Sequence, residues 1–587
     1  MIIFHPTGRD ILTELHSIPE TLCIRQQGHR LRDWHENYSM FSAFAKECNE
    51  ARQWYTVWAL NFDGSVYTLD YRNENNFVRE IPAQFELVEK AYKQYLWSGD
   101  ERYIKDETLW AFYTNVMTNY VDTHDGNENG VAQEVGTGIF NGSATYNERG
   151  GRQVIEAGDS IGSQYQATLA YAGMLKARGE AEEAEIWYQK AADLKKYFNE
   201  TWSVTDNMSS EYVCAWGPNG ERYSDFSKET SWFIPLKMIS EAGERNDAYI
   251  DFILENLGNG IGTTNTAPAN IEAYTYIPDM LFLYNRSDDA WKWMEYIASV
   301  KDNAHEKVSQ GTNGDYPEIS FTYISHTIEG MMGVEPDAGE GFVATSPRLP
   351  QEVPDAKAKY MQIGNYELDL EHVGNTESTL TNHADKEITW EVRFYGDHDY
   401  IKVDDKIFTT ESKEINGEII SYVTTKVAAG KAVNAKVVSK DEADAENKAD
   451  AEEVAAKIDA IGEVTLNNKV VVENARAAYE ALSEEAKAMV TNLNVLEAAE
   501  AKLKELENAA NQGGQGGNSS NHDKDDNKEN SKTPTEVYYA GEKTTTSSTT
   551  AAKTGDSSNI VELCAAMLLA AAGIWFVIVK RRKNISK

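Results

Sequence analysis

Along residues 81–333 apolar side chains recur at helical spacing, in runs of roughly 12–20 residues separated by polar turns. The runs are IPAQFELVEKAYKQYLWSGD (81–100), SIGSQYQATLAYAGMLKARGE (160–180), AEEAEIWYQKAADLKKYF (181–198), KETSWFIPLKMISEAGE (228–244), IEAYTYIPDMLFLYNRSDDAWKWMEYI (271–297) and NGDYPEISFTYISHTIEGMMG (313–333). Each predicts helix. Short connections make neighbouring helices antiparallel, and a succession of such hairpins predicts an all-helical toroid or solenoid. Loops rich in Asn, Gly, Glu and Tyr join the hairpins, and rigid helices carrying elaborate loops suit a functional site.

The period changes after residue 340. YMQIGNYELDLEHVGNTESTLTNHADKEITWEVRFYG (360–396) alternates in places and is rich in Thr, Val, Ile and Tyr, which predicts a small β-sandwich over 341–440. Residues 441–506 are rich in Ala and Glu. They predict three short helices, with Ser483 and Asn494 at helix starts, forming a spacer bundle or a protein-binding module. Residues 507–556 have no apolar period and read as a disordered linker. The run LCAAMLLAAAGIWFVIV (563–579), followed by KRRKNISK, predicts a C-terminal transmembrane helix within an anchor at 557–587. The basic flank then stays cytoplasmic, so the body is expected on the extracellular face of the membrane. AAKTGDSSN (551–559) resembles the sorting signal of Gram-positive surface proteins. Thr554 and Gly555 fit the cleavage pair, while Ala551 and Ala552 stand where Leu and Pro are usual. Membrane retention is the main expectation, cell-wall attachment the second. MIIFHPTGRDILTEL lacks a basic start and an apolar core, so an N-terminally truncated chain is expected.

Composition sharpens this picture. The chain has 587 residues and a formal charge of −38, which disfavours nucleic acid as a partner. Eleven of its 13 tryptophans lie between Trp34 and Trp293, a density that suits either a large core or a surface for the flat faces of sugars. The four cysteines are scattered and form neither a disulfide framework nor a metal-ligand spacing. No phosphate-binding fingerprint, GxSxG or HExxH is present.

Glycosidic bonds are usually broken by two carboxyl groups, one acid and one base or nucleophile, brought to a common cleft from separate elements. Glu318 is expected to open the helix at 317. Pro317 suits the first turn, and the helix terminus favours a charged carboxylate, which predicts a base. Asp315, in the same stretch, is a candidate cap. Glu156 and Asp159 precede an aromatic helix and lie three residues apart, so in a helical turn they share a face. Either one in apolar surroundings suits a general acid. Glu272, at another aromatic helix start, is the reserve carboxylate. Trp58, Asp63 and Arg72 are candidate grips on sugar hydroxyls, with Tyr316 and Trp232 as further substrate-binding aromatics. DTHDGNENGVAQE resembles a calcium loop at Asp125, Asn127 and Asn129, but its twelfth position holds Gly136 rather than Glu. A plain polar loop is therefore preferred, and no cofactor is expected.

The body resembles the six-hairpin (α/α)6-toroid glycoside hydrolases, the group with glucoamylase-like, trehalase-like and rhamnosidase-like enzymes. AYKQYLWSGDERYIKD looks like the close of an early hairpin. IEAGDS is similar to the general-acid segment of trehalase-like members, with Glu156 and Gly158 matching and one residue missing before Asp159. YPEISFTY resembles the late segment that supplies the second carboxylate. EGMMGVEPDAGEGFVATSPRLP resembles the join to a β-sandwich. The resemblance covers roughly residues 30–430. It implies a catalytic toroid over 1–340 and an extracellular glycosidase acting on oligo- or polysaccharides, inverting, with its carboxyls about 6.5–9.5 Å apart. Two alternatives stay open: a catalytically silent carbohydrate-binding surface protein, and a polysaccharide lyase using Tyr323 and His326.

Overall fold

The computed structural model of the chain describes residues 30–57, 59–61, 63–68, 80–134, 143–146, 153–204, 211–257, 271–305, 311–315 and 317–513. Its first half is built from α1 (Arg30–Glu47), α2 (Ile81–Ser98), α3 (Glu107–Asn115), α4 (Gly158–Ala177), α5 (Ala181–Tyr197), α6 (Lys228–Leu236), α7 (Glu244–Asn256), α8 (Ile277–Leu283), α9 (Ser287–Val300) and α10 (Pro317–Ser325). Three of them run on into π-helical turns: Val116–Tyr120 after α3, Phe198–Trp202 after α5 and His326–Met331 after α10.

Burial separates these helices into two layers. α4 buries sixteen of its twenty residues, whereas α5 buries three of seventeen on a single face. α2 packs on α4, α4 on α6, α6 on α8, and α8 on the turn His326–Met331. The circuit closes where Glu329 of that turn accepts from Lys93 Nζ (2.5 Å) and Trp97 Nε1 (3.0 Å) of α2. Among the described residues α2, α4, α6, α8 and the turn after α10 thus follow one another around the interior. Close approach of α4 to α6 depends on Gly158, since a Cβ there would stand 2.4 Å from the Thr230 carbonyl. Two expected helices end early. The run 228–244 stops at Leu236, with Pro235 in its last turn and Met238 at φ 54°. The run 271–297 divides at Asn285, at φ 55°, into α8 and α9.

Two sheets follow. Their strands are β1 (Val334–Asp337), β2 (Phe342–Thr345), β3 (Asp355–Ile363), β4 (Tyr366–Val373), β5 (Glu377–Asn382), β6 (Ile388–Tyr395), β7 (Tyr400–Val403), β8 (Lys406–Thr409), β9 (Glu411–Ile415), β10 (Glu418–Val427) and β11 (Ala432–Val438). One sheet has the order β8-β7-β11-β5-β4-β3 and the other β9-β10-β6-β2-β1, with β2 and β6 parallel. Alternate residues such as Leu368, Leu370, Trp390 and Val392 are buried between them. The same core takes in Trp97, Ile328 and Met332 from the helical ring. Ala338 N and Gly364 N donate to Leu96 O and Trp97 O (both 2.7 Å), so the sandwich caps the last carbonyls of α2. Arg348 donates to Glu329 O (3.1 Å), Gly330 O (3.0 Å) and the Tyr395 hydroxyl (2.9 Å).

Residues 440–513 form four helices rather than three: Lys440–Asp459, Lys469–Glu480, Glu484–Met489 and Leu493–Gly513. Ser483 caps the third by accepting from Ala486 N (3.0 Å). Asn494 lies inside the fourth and does not cap it, and full capping boxes are formed by Ser439 with Glu442 and by Thr465 with Asn468.

The expectation of a C-terminal transmembrane helix is corrected here. Among the described residues no helix is long and apolar enough to cross a membrane. The longest carry polar residues throughout: Lys440–Asp459 is largely charged, and Leu493–Gly513 is interrupted by Glu and Lys every few residues. Residues 563–579, on which the expectation rested, lie outside the described residues, as do 507–556 beyond Gly513. The membrane partner, the single-pass anchor and placement on the outer face of a membrane rested on that run, and no described helix supports them.

Gly333 joins the ring to the sandwich at φ 59°, and a Cβ there would stand 1.9 Å from the Ser346 carbonyl oxygen. Gly333→Ala is expected to destabilise the protein by at least about 2 kcal/mol, read as a lowered midpoint in thermal unfolding.

Candidate active site

α4 begins where a three-stranded sheet ends. In that sheet Glu156–Ala157 pairs with Ala215–Trp216, which pairs with Arg222–Tyr223. Asp159 sits in the first turn of α4 and is fully buried. Its Oδ2 accepts from Thr145 Oγ1 and from Tyr146 N, both at 2.8 Å, while Oδ1 takes Ser160 N at 3.2 Å. Burial pushes this carboxyl up to about 7, against the pull of the Tyr146 amide and the Thr145 hydroxyl, and the charge of Glu229 adds to the rise. With two donors already on Oδ2, the proton belongs on Oδ1.

The other walls come from α2 and α6. Glu229, near the start of α6, is buried and lies close enough to raise both Asp159 and the phenol of Tyr274. The next residue, Thr230, shares a hydrogen bond with Thr145 (Oγ1···Oγ1 2.8 Å). Tyr146 OH donates to Glu86 Oε2 of α2 (2.6 Å). Lys237, just past α6, donates to Glu86 Oε1 and Glu89 Oε2 (both 2.6 Å), and Lys90 reaches Glu89 Oε1 (3.1 Å). Burial works against the charge on Glu89, but the two ammoniums overcome it and hold the group down at about 2. Burial lowers Lys90 against the attraction of Glu89, whereas Lys237 is raised because its two carboxylates outweigh burial.

Glu156 belongs to a different set of partners. Its Oε1 accepts from Asn127 Nδ2 (2.5 Å) and Asn129 Nδ2 (3.1 Å), and its Oε2 from Trp202 Nε1 (2.6 Å). The π-helical turn after α5 delivers Trp202 to it. Glu156 and Asp159 share no partner among these bonds. The loop read as calcium-like is occupied in the same way. Asp125 accepts from the backbone N–H of Asn129 and Gly130 (both 2.8 Å), and the two asparagines turn to Glu156. No cluster of three or more His, Cys, Asp or Glu suited to a metal ion occurs among the described residues.

Of the remaining expected residues, Trp232 is fully buried, its ring centroid 5.2 Å from that of Tyr274, and belongs to the core rather than to an open wall. Asp63 is exposed and accepts from Ser65 N (2.9 Å) and Ser65 Oγ (2.5 Å), closing its own turn. Asp315 does the same with Thr312 N and Oγ1 (both 2.9 Å). Glu318 is the second residue of α10 and Glu272 opens a short 3-10 turn before α8, but the side chains of both lie outside the described residues. Trp58, Arg72 and Tyr316 lie outside them entirely. His326 is buried, and desolvation pushes its imidazole down to about 3. Glu229 and Glu86 had no sequence signal beyond being acidic residues in the first turns of helices, and Tyr146 none beyond being an aromatic residue in a loop.

No family model matches the chain, and no curated protein matches it. Among solved structures it is similar to an α-L-rhamnosidase from Dictyoglumus thermophilum, with 14% identity and a TM-score of 0.43 over 73% of this chain and 46% of that one. It is also similar to α-L-rhamnosidase from Aspergillus terreus, with 12% identity and a TM-score of 0.43 over 72% and 46%. Cellobiose 2-epimerase from Bacillus thermoamylovorans matches at 12% identity and a TM-score of 0.36, over 56% and 90%. The chain thus spans a little under half the length of the two rhamnosidases.

The raised carboxyl of Asp159 has a consequence for stability. Between its ordinary value of 3.8 and about 7 the folded protein holds a proton there that the unfolded chain has released. Stability contributed by this group is therefore complete below about pH 4 and falls as pH rises to 7, by on the order of 4 kcal/mol. Asp159→Asn is expected to flatten this fall, measured as the difference between urea unfolding free energies of the two proteins across pH 4–7.

Proposed function

We propose that this chain is a glycoside hydrolase in which Asp159 is the general acid. The observation that carries this reading is a buried carboxyl at a helix start whose proton affinity is raised to about 7 beside a second buried carboxylate, Glu229. A group that keeps its proton near neutrality inside an apolar shell is suited to protonate a leaving glycosidic oxygen. Burial is the main cause of this affinity, and the neighbouring carboxylate adds to it by disfavouring a second negative charge.

In this reading Asp159 holds its transferable proton on Oδ1, while Thr145 and Tyr146 fix Oδ2. Glu318, at the start of α10, remains the proposed base, activating water for inversion at the sugar carbon. Glu156, tied to Asn127, Asn129 and Trp202, is an acceptor that fastens the 125–130 loop to the sheet. Residues 1–340 carry the chemistry, 341–440 seat it, 441–506 form a helical spacer and 507–556 a linker. The substrate class is an oligo- or polysaccharide. Catalytically silent carbohydrate binding is the second reading. It is favoured by the complete burial of Asp159 and by the donors that already occupy its oxygens. A lyase using His326 is disfavoured, because a buried imidazole held at about 3 is a weak base.

A panel of 4-nitrophenyl glycosides and glycan oligomers tests the reading. At least one is expected to be hydrolysed, with Asp159→Asn and Glu318→Gln each lowering turnover by about a hundredfold or more. Restored turnover of Glu318→Gln by azide, with the anomeric configuration of the product recorded, would identify the base. Binding of a glycan without turnover across the panel favours the silent alternative.

A further inference from the structure

The stretch Ser143–Tyr146 lies directly over Asp159 and is pinned from four sides. Ile81 N, at the start of α2, donates to Ser143 O (2.8 Å), and Ser160 Oγ donates to Ala144 O. Thr145 sits between Asp159 and Thr230. Tyr146 uses its two donors in opposite directions: its amide to Asp159 Oδ2 (2.8 Å) and its hydroxyl to Glu86 Oε2 (2.6 Å). Glu86 is in turn gripped by Lys237, which is 4% exposed at its side chain and shared with Glu89. A buried carboxylate held by a buried ammonium is costly to move, because displacing either partner strands the other charge in a low-dielectric interior. One residue therefore joins the carboxyl at the start of α4 to a rigid ion cluster on α2 and α6.

We propose that Glu86 and Lys237 are positioning residues that act through Tyr146 to hold Ser143–Tyr146 closed over the Asp159 carboxyl and keep water from it. The inference deepens the acid role assigned above and rests on it for its catalytic meaning, but not for its physics. The ionisable groups around Asp159 are Glu229 on α6, Cys214 beside the three-stranded sheet, Glu156 three residues earlier, and Glu86 and Lys237 reached through Tyr146. Desolvation is the largest influence on the carboxyl, larger than the donors that oppose it. Releasing the stretch admits water and removes donors together, and the larger effect sets the outcome: the carboxyl falls toward its ordinary range.

Tyr146→Phe is the cleanest test, because it keeps the ring and the amide and removes only the hydroxyl that reaches Glu86. The readout is the protonated-carboxyl infrared band of Asp159, isolated as the difference between each protein and its Asp159→Asn counterpart and followed with pH. The wild-type midpoint is expected near 7. It is expected to drop by about one unit or more in Tyr146→Phe and Lys237→Met, with Lys237→Arg restoring it. Tyr284→Phe, which removes another buried hydroxyl bond, to Pro235 O (2.9 Å), is expected to leave it in place. A midpoint in Tyr146→Phe that matches wild type, or a wild-type midpoint near 4, overturns the inference. So does an equal drop in Tyr284→Phe, which would mark a general loosening. If the midpoint moves as expected but no glycoside is cleaved, positioning stands and hydrolysis falls. If glycosides are cleaved and the midpoint does not move, positioning alone falls.

Discussion

Charge sealed inside a ring of helices has to be neutralised where it lies, and that constraint organises this molecule. α2 turns Glu86, Glu89, Lys90 and Lys93 toward the interior, at spacings of three and four residues that place them on one helical face. None of these can be left without an opposite charge, since an isolated buried ion costs far more than any single apolar contact returns. Lys237 answers two of them from the end of α6, and Glu329 answers Lys93 from the turn after α10. The pairings fix which residue of α2 stands opposite which residue of its neighbours. An apolar interface would permit sliding; this one does not.

The candidate acid inherits that rigidity. Asp159 reaches the ion cluster through one residue, and another of its donors, Thr145, is shared with α6. Three elements distant in sequence thus meet at one carboxyl, and the glycine at 158 lets two of them approach closely enough to do so. The same carboxyl is unfavourable for folding once it ionises, so strength elsewhere in the ring has to carry it.

Parts of this were readable in the chain and parts were not, for physical reasons. α2 and α4 were legible as helices from long apolar-rich runs of helical length, although α4, buried on most of its circumference, keeps little one-sided period. α8 and α9 were merged because a single left-handed Asn285 ends one and starts the other, and an asparagine leaves little trace of that choice. Asp159 was legible as a carboxylate entering an aromatic helix. Glu156 was legible as a candidate acid, but not as a buried carboxylate already bonded by two amides and an indole. Asp125, Asn127 and Asn129 have the residue types of a cation loop, and those same types serve equally to hold a carboxylate in place of a metal. Trp232 shows the limit for aromatics, since a tryptophan that packs a core and one that stacks a sugar are identical in sequence. Glu229, Glu86 and Tyr146 each matter through contacts made across the fold, which no local pattern encodes.

The sandwich enters the same argument through the far end of α2. An 18-residue helix spans about 27 Å, so Glu86 near one end and Trp97 near the other belong to different neighbourhoods. Trp97 is buried in the sandwich core while its indole N–H is spent on Glu329, and the sandwich backbone supplies the donors that the last carbonyls of α2 lack. A helix capped and anchored in this way cannot shift along its axis without breaking sheet contacts. Axial movement is also what would pull Glu86 away from Tyr146. The sandwich thus holds the far end of the helix that carries Glu86.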